Sequence, residues 1–110
     1  MISRIDGQLE LVVDKIAFIA WIKSHLEDES TFFTRRSVRY CPVARFVAET
    51  ENINCIASNE SVVMFHEDIM EKIYYSSESS WAQDFIVKYD NDESLASLIT
   101  TLGNEAGAVA

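Results

Sequence analysis

The side chains best suited to chemistry in this sequence are four arginines crowded into one segment of an otherwise acidic chain. Arg35, Arg36, Arg39 and Arg45 supply four of the nine lysine and arginine residues, and no aspartate or glutamate lies within residues 31–46. A guanidinium donates parallel hydrogen bonds to a carboxylate or a phosphate. These residues, here called the basic segment (residues 31–46), therefore predict either a site for an anion or acidic peptide, or internal neutralisation of the protein's own acids.

Four aromatic side chains lie in or near the basic segment and are candidates for an interface. Phe32, Phe33 and Tyr40 belong to the segment, and Trp21 projects from the edge of a wide apolar helix face. Aromatic residues and arginine are enriched among the side chains that dominate protein interfaces. We therefore expect a protein partner, and Trp21 also favours a weak homodimer.

Cys41 and Pro42 predict the start of a helix within the basic segment. Proline is tolerated at the first helical position because its missing N–H would be unpaired there anyway, which makes Cys41 the N-cap. Free N–H groups at this helix start would add to the anion contacts. A helix start among arginines also stabilises a thiolate, so a small cysteine-dependent enzyme using Cys41, with His25 or His66 as base, is an alternative. The competing interpretation is a buried thiol that caps the helix.

No metal, cofactor or catalytic residue is predicted. The cysteines and histidines are Cys41, Cys55, His25 and His66, and no two of them are spaced as closely as the ligand pairs of structural zinc sites. The acidic clusters lack the glycine and terminal glutamate of a calcium-binding loop. Three glycines do not form a phosphate-binding loop of a known kind.

The acidic side chains form the second candidate surface. The formal net charge is −9, and residues 47–110 carry two basic and twelve acidic side chains. A field of this sign repels phosphate backbones, so we expect no direct binding to nucleic acid. It is typical of a non-enzymatic interaction module, such as a regulator or inhibitor that imitates nucleic-acid charge on a basic surface of its partner. The acids assigned to this acidic face are Glu71, Glu78, Asp84, Asp90, Asp92 and Glu93.

The elements that must position these groups predict a helix-rich α+β domain over residues 1–103, with a flexible tail at 104–110. Residues 53–58 and 61–66 predict an antiparallel hairpin, or part of a three-stranded sheet. Residues 8–13 alternate as an extended segment does, although a helix stays open. Helices are predicted after the N-cap Asp14, after Pro42, over 66–75, over 79–89 and over 91–103, with Gly103 as the stop.

Three features predict a cytoplasmic protein. The longest apolar run, Ile16–Ile22, is shorter than the roughly 20 residues that cross a bilayer. The N-terminus lacks the pattern of a secretory signal. Two cysteines are too few for a disulfide framework, so both are expected as thiols.

The run Cys41–Val47, "CPVARFV", resembles a motif of small bacterial and phage-type proteins. The motif is Cys-Pro-aliphatic-Ala-Arg-aromatic-aliphatic, and the resemblance covers residues 14–47. It implies a microbial, cytosolic origin and brings no activity with it.

Overall fold

A computed structural model describes the backbone of residues 1–109 and the side chains of residues 1–104. Within this part the strands are β1 (Ile2–Ile5), β2 (Gln8–Leu11), β3 (Asn54–Ala57), β4 (Ser61–His66) and β5 (Ile69–Tyr75). The α-helices are α1 (Lys15–Lys23), α2 (Glu29–Phe32), α3 (Pro42–Glu51), α4 (Ser80–Asp90) and α5 (Leu95–Val109). A short 3₁₀ helix at Ser77–Ser79 precedes α4.

The strands form one sheet in the order β1-β2-β5-β4-β3. Neighbouring strands are antiparallel except β2 and β5, which are parallel. The predicted α+β class is confirmed, and so is the hairpin of β3 and β4. The sheet is larger than the predicted two or three strands because the N-terminal hairpin joins it through β5.

One face of the sheet carries the core. Leu9, Ile73, Val62 and Ala57 lie side by side across four strands, and each is buried. They belong to one cluster of buried apolar residues with the inward faces of the helices. The result is a two-layer domain, with helices on one face of the sheet.

Both predicted N-caps are confirmed. The N–H of Ala17 donates to Asp14 Oδ1 at 3.0 Å, and α1 begins directly after Asp14. The N–H of Ala44 donates to Cys41 Sγ at 3.4 Å, with Pro42 at the first position of α3. These short-range signals were sufficient because a cap depends on residues three positions apart.

The helix predicted over residues 66–75 is wrong, because His66 ends β4, residues 67–68 form a turn and residues 69–75 form β5. Ile69, Met70, Ile73 and Tyr74 share one face at helical spacing, but β5 alternates in burial: Ile73 is fully buried and Tyr74 is 40% exposed. β5 is the middle strand and pairs on both sides, with β2 and β4. Pairing with two partners satisfies its backbone groups, and this outweighs a short helical pattern.

The two ends of the chain also refine the predictions. Residues 8–11 form a strand, which confirms the extended interpretation of this segment. The predicted helix stop at Gly103 is wrong, because α5 continues through Val109. The flexibility of residues 104–110 stays a prediction, and Ala110 lies outside the described residues. In the part of the chain that is described, no helix combines the length and apolar character needed to cross a membrane.

Candidate functional site

Arg35 is held against the end of α4. Its Nη1 donates to the carbonyl oxygens of Tyr89 and, at 2.8 Å, Glu93. Its guanidinium carbon lies 4.2 Å from the centroid of the Tyr89 ring. Because the carbonyl groups at the end of a helix carry partial negative charge, a cation here stabilises the helix. Arg35 is therefore a structural residue that joins the basic segment to α4.

Arg36 is bound to the same junction. Its backbone N–H donates to Asp90 Oδ1 at 2.8 Å, and its Nη1 donates to the Asp90 carbonyl at 2.8 Å and to Asp92 Oδ1 at 3.0 Å. Its φ of 56° lies in the left-handed region, which is uncommon for a residue with a side chain. The first half of the basic segment thus neutralises the protein's own acids.

Arg39 and Arg45 have a different environment. Neither has a carboxylate within 4.0 Å among the described residues. They line an open pocket of about 400 Å³ together with Phe32, Tyr40, Ala48, Glu49, Asn54 and Cys55. We call these residues the arginine pocket. Arg39 Nη1 donates to Asn54 Oδ1 at 3.1 Å, which fixes its side chain at the edge strand β3.

The Arg45 guanidinium lies over the ring of Phe32, and its side chain has no hydrogen-bond acceptor among the described residues. Its carbon is 3.9 Å from the centroid of Phe32 and 5.8 Å from that of Tyr40. Its Nε is buried, and no described residue accepts a hydrogen bond from it. A guanidinium has five N–H donors, so Arg45 has donor capacity that the protein does not use. The pocket combines this cation, Arg39 and two aromatic side chains.

Glu49 is the acidic residue that lines the arginine pocket, and its carboxylate binds Trp21 and neither arginine. Its Oε2 accepts a hydrogen bond from Trp21 Nε1 at 3.0 Å. Glu49 lies one helical turn after Arg45, at a spacing that commonly pairs opposite charges on a helix. This spacing could have identified Glu49 from the sequence. Asn54 had no such signal, because its link to Arg39 depends on the position of β3.

The candidate aromatics are divided between core and surface. Phe33 is buried, whereas Tyr40 is 47% exposed. The Trp21 ring is half-buried and contacts Phe32, Phe33 and Phe46 at centroid distances of 5.9, 5.6 and 5.3 Å. The Trp21 ring is thus packed within its own chain rather than projecting from it. Phe32 links this cluster to the pocket, because it contacts Trp21 and also lines the pocket under the Arg45 guanidinium. Its ring also stacks on His25 at 4.1 Å.

The acids of the predicted acidic face fall into two groups, those that pair with the protein's own arginines and those that do not. Glu71 pairs with Arg4 at 2.7 Å, while Asp90 and Asp92 bind Arg36. The side chains of Glu78, Asp84 and Glu93 form no ion pair within the described residues, and all three residues are exposed. Three of the six acids are therefore committed inside the protein.

The start of α3 is closed to an anion, contrary to the prediction. Pro42, Val43 and Ala44 are buried, and the Ala44 N–H already donates to Cys41 Sγ. Burial raises the pKa of the Cys41 thiol to about 11. Neither His25 nor His66 hydrogen-bonds Cys41 among the described residues. The arrangement therefore matches the buried capping thiol, not an activated nucleophile.

Cys55 is the second buried thiol, and its Sγ donates to the Ala44 carbonyl at 3.6 Å. Burial raises its pKa to about 11 as well. Within the described residues there is no cluster of three or more histidine, cysteine, aspartate or glutamate side chains that could hold a metal ion.

No protein-family model, curated protein or solved structure matches this chain. The assignment of a site therefore rests on the geometry of its own residues.

Proposed function

We propose that this protein is a non-enzymatic interaction module that binds an acidic segment of a protein partner through the arginine pocket. The observation that carries the proposal is the Arg45 guanidinium, which lines an open pocket beside Arg39 with no carboxylate and no hydrogen-bond acceptor of its own. In a chain with 18 acidic side chains, two cations in one pocket with no carboxylate within 4.0 Å among the described residues are a specific feature, since Glu49, which also lines the pocket, binds Trp21 instead. A carboxylate that enters the pocket would supply the acceptor that Arg45 lacks.

The magnitudes favour a peptide over a free ion. Hydrogen bonds to charged groups contribute roughly 1.5–3 kcal/mol each. Association costs at least about 4 kcal/mol in lost translational and rotational freedom. Two such hydrogen bonds therefore leave a small inorganic anion at millimolar affinity or weaker. Useful affinity requires further contacts, which a peptide with several carboxylates and neighbouring side chains provides.

The test is calorimetric titration of the protein with hexaglutamate. We expect the Arg45→Gln variant to lose at least about fivefold in affinity, because it removes the unpaired guanidinium. Arg4→Gln is the matched control: Arg4 is exposed, lies on the opposite edge strand β1 and pairs with Glu71. Equal binding by wild type and Arg45→Gln, with both folded by circular dichroism, would reject the pocket as the site.

A second candidate uses the acidic face, as a regulator or inhibitor that imitates nucleic-acid charge and occupies a basic surface of its partner. The observation that favours it is the exposed, unpaired state of the Glu78, Asp84 and Glu93 side chains in the described chain. Reversal of Glu78 and Asp84 to lysine should then weaken capture of a lysine-rich peptide. Unchanged capture by this variant would exclude the acidic face.

We further propose a cytoplasmic setting and a bacterial or phage origin. Two buried free thiols support a reducing compartment, since neither forms a disulfide. The resemblance of Cys41–Val47 to small bacterial and phage-type proteins supports the origin. Redox-state labelling of the thiols in a bacterial host extract, with both found reduced, is the expected result.

A further inference from the structure

The sheet has a second face, opposite the helices, which carries apolar side chains. The strand register places Phe65 opposite Met70, and Val63 opposite both Ile56 and Lys72. Tyr74 lies two residues beyond Lys72 on the same face. We call these six residues the outer sheet face. Met70 is 71% exposed and Tyr74 is 40% exposed, so no element of the described chain covers them.

An apolar group of this kind is unusual for the solvent side of a two-layer domain. Antiparallel strands with one solvated face normally alternate apolar and polar side chains. Here the alternation fails over three neighbouring strands, because Ile56, Val63, Phe65 and Met70 are adjacent across the register. Contiguous exposed apolar patches mark interaction sites more often than isolated apolar residues do.

Arg39 joins this face to the arginine pocket. Its guanidinium carbon lies 5.9 Å from the centroid of Phe65, and the same side chain lines the pocket with Arg45. Two strand spacings, about 10 Å, separate the edge strand β3 from β5. An extended peptide of about nine residues reaches roughly 30 Å and can therefore contact both regions at once.

The charges on this surface indicate the chemistry of its ligand. Lys72 is exposed on the outer sheet face, and Arg39 lies beside Phe65 at its β3 edge and lines the pocket with Arg45. Among the described strand residues on this face Glu10 is the one acid, and it lies next to Tyr74 on the β2 side. The pocket adds Glu49, whose carboxylate binds Trp21, so Arg39, Arg45 and Lys72 outnumber the acids and the surface is locally cationic and apolar on a chain of net charge −9.

We infer that the outer sheet face and the arginine pocket form one continuous docking surface for an extended segment in which acidic and apolar side chains alternate. The inference rests on the proposed function and specifies its partner. The carboxylates contact Arg45, Arg39 and Lys72, while the apolar side chains cover Phe65 and Met70. A second copy of this chain is disfavoured, because it would place like cations on both sides of the interface and join two strongly acidic molecules.

The experiment compares two peptides of equal charge, hexaglutamate and a peptide in which six glutamates alternate with valines. We expect the alternating peptide to bind wild type roughly tenfold more tightly, because its valines bury apolar surface on the sheet. Met70→Ser should reduce its affinity roughly fivefold and change hexaglutamate affinity by less than about twofold. Ile16→Ser is the matched control, since Ile16 is also 71% exposed but lies on α1.

The outcomes separate the inference from the proposed function. If hexaglutamate binds through Arg45 but the two peptides bind equally, or Met70→Ser has no effect, the inference is overturned and the pocket stands. If hexaglutamate fails to bind wild type, the proposed function itself fails. A dimer of wild type that Met70→Ser dissociates in sedimentation would also overturn the inference, because the occupant would be a second copy.

Two further measurements test the inference even if the Met70→Ser variant does not fold. Lys72→Gln should reproduce the direction of the Met70→Ser effect through loss of charge. In the wild-type protein, amide shifts in nuclear magnetic resonance should move in β4 and β5 with the alternating peptide and not with hexaglutamate. Shifts confined to the pocket with both peptides would contradict the inference.

Discussion

The two halves of the basic segment, residues 31–38 and 39–46, each carry two arginines, but the two pairs have different environments. Arg35 and Arg36 bind carbonyl and carboxylate oxygens at the junction of α4 and α5. Arg39 and Arg45 line an open pocket and have no carboxylate partner in the described chain. Residue type alone therefore does not separate a structural arginine from one that is available to a ligand. The separation depends on which acceptors the fold brings within reach.

The largest difference between the halves should appear in stability. Arg35→Ala removes hydrogen bonds to two carbonyl oxygens and the contact with Tyr89, so we expect a loss of roughly 2–3 kcal/mol in the free energy of unfolding. Arg39→Ala should cost less than about 1 kcal/mol, because its one hydrogen bond is exposed. Urea unfolding of both variants measures this. Equal losses would break the comparison between the two halves.

Cys41, the N-cap of α3 between Arg39 and Arg45, provides a test in alkaline solution. Burial holds the pKa of the folded thiol at about 11, above its ordinary value of 9.0, so the unfolded chain releases this proton first as the pH rises. Stability should therefore fall above about pH 9, with Cys41 contributing about 1 kcal/mol of loss between roughly pH 8 and pH 10. Cys41→Ala should make this dependence shallower.

Other buried thiols and phenols should also make stability fall at high pH, and they set the decline that remains without Cys41. Cys55, Tyr75 and Tyr89 also have a pKa raised by burial, so the variant should keep part of the decline. Urea unfolding at several pH values compares the slopes, which are insensitive to the constant cost of the lost side chain. If the slope of the unfolding free energy against pH is unchanged in Cys41→Ala, the Cys41 thiolate is stabilised in the folded protein by a nearby arginine, and burial does not control its titration.

Asp90 tests whether acids of the proposed acidic face are structural. Asp90→Asn weakens its bonds with the Arg36 backbone and should lower the unfolding free energy by about 1 kcal/mol. Glu78→Gln should change it by less than about 0.5 kcal/mol, because Glu78 is exposed and unpaired in the described chain. Thermal unfolding compares the two. A cost for Glu78→Gln similar to that of Asp90→Asn would place both acids in structural pairs.

Salt dependence should give the smallest effect and separates the two candidate functions. An acidic peptide in the arginine pocket is attracted locally but repelled by a chain of net charge −9, so its affinity should vary little with ionic strength. A basic partner on the acidic face is attracted at all distances, and its affinity should fall steeply with salt. Titrations at low and high sodium chloride measure both. A steep loss for the acidic peptide would contradict the pocket account.

Local signals made much of the fold predictable. Asp14, Cys41 and Pro42 fixed two helix starts, because each cap involves residues three positions away. The β5 strand was not predictable from its own pattern, since Ile69, Met70, Ile73 and Tyr74 fit a helical spacing as well. Its two sheet partners come from distant parts of the chain.

The sequence predicts which residue types belong to the site, but it does not predict which of the four arginines bind the protein's own groups and which line the pocket. All four arginines were candidates, but Arg35 meets Tyr89 across 54 positions of sequence. The Asn54 contact of Arg39 and the closed start of α3 likewise follow from tertiary packing. Residue types in the sequence indicate where the charges are, whereas the partners of each charge depend on the tertiary fold.

The most direct test of the central claim observes all four arginines in one experiment. Side-chain Nε–Hε signals of ¹⁵N-labelled protein are followed during titration with hexaglutamate, with assignments from single arginine-to-lysine variants. We predict that the signals of Arg39 and Arg45 shift and saturate together, while those of Arg35 and Arg36 stay fixed because the α4–α5 junction already binds them. Shifts at Arg35 and Arg36, or none at Arg45, would contradict the account.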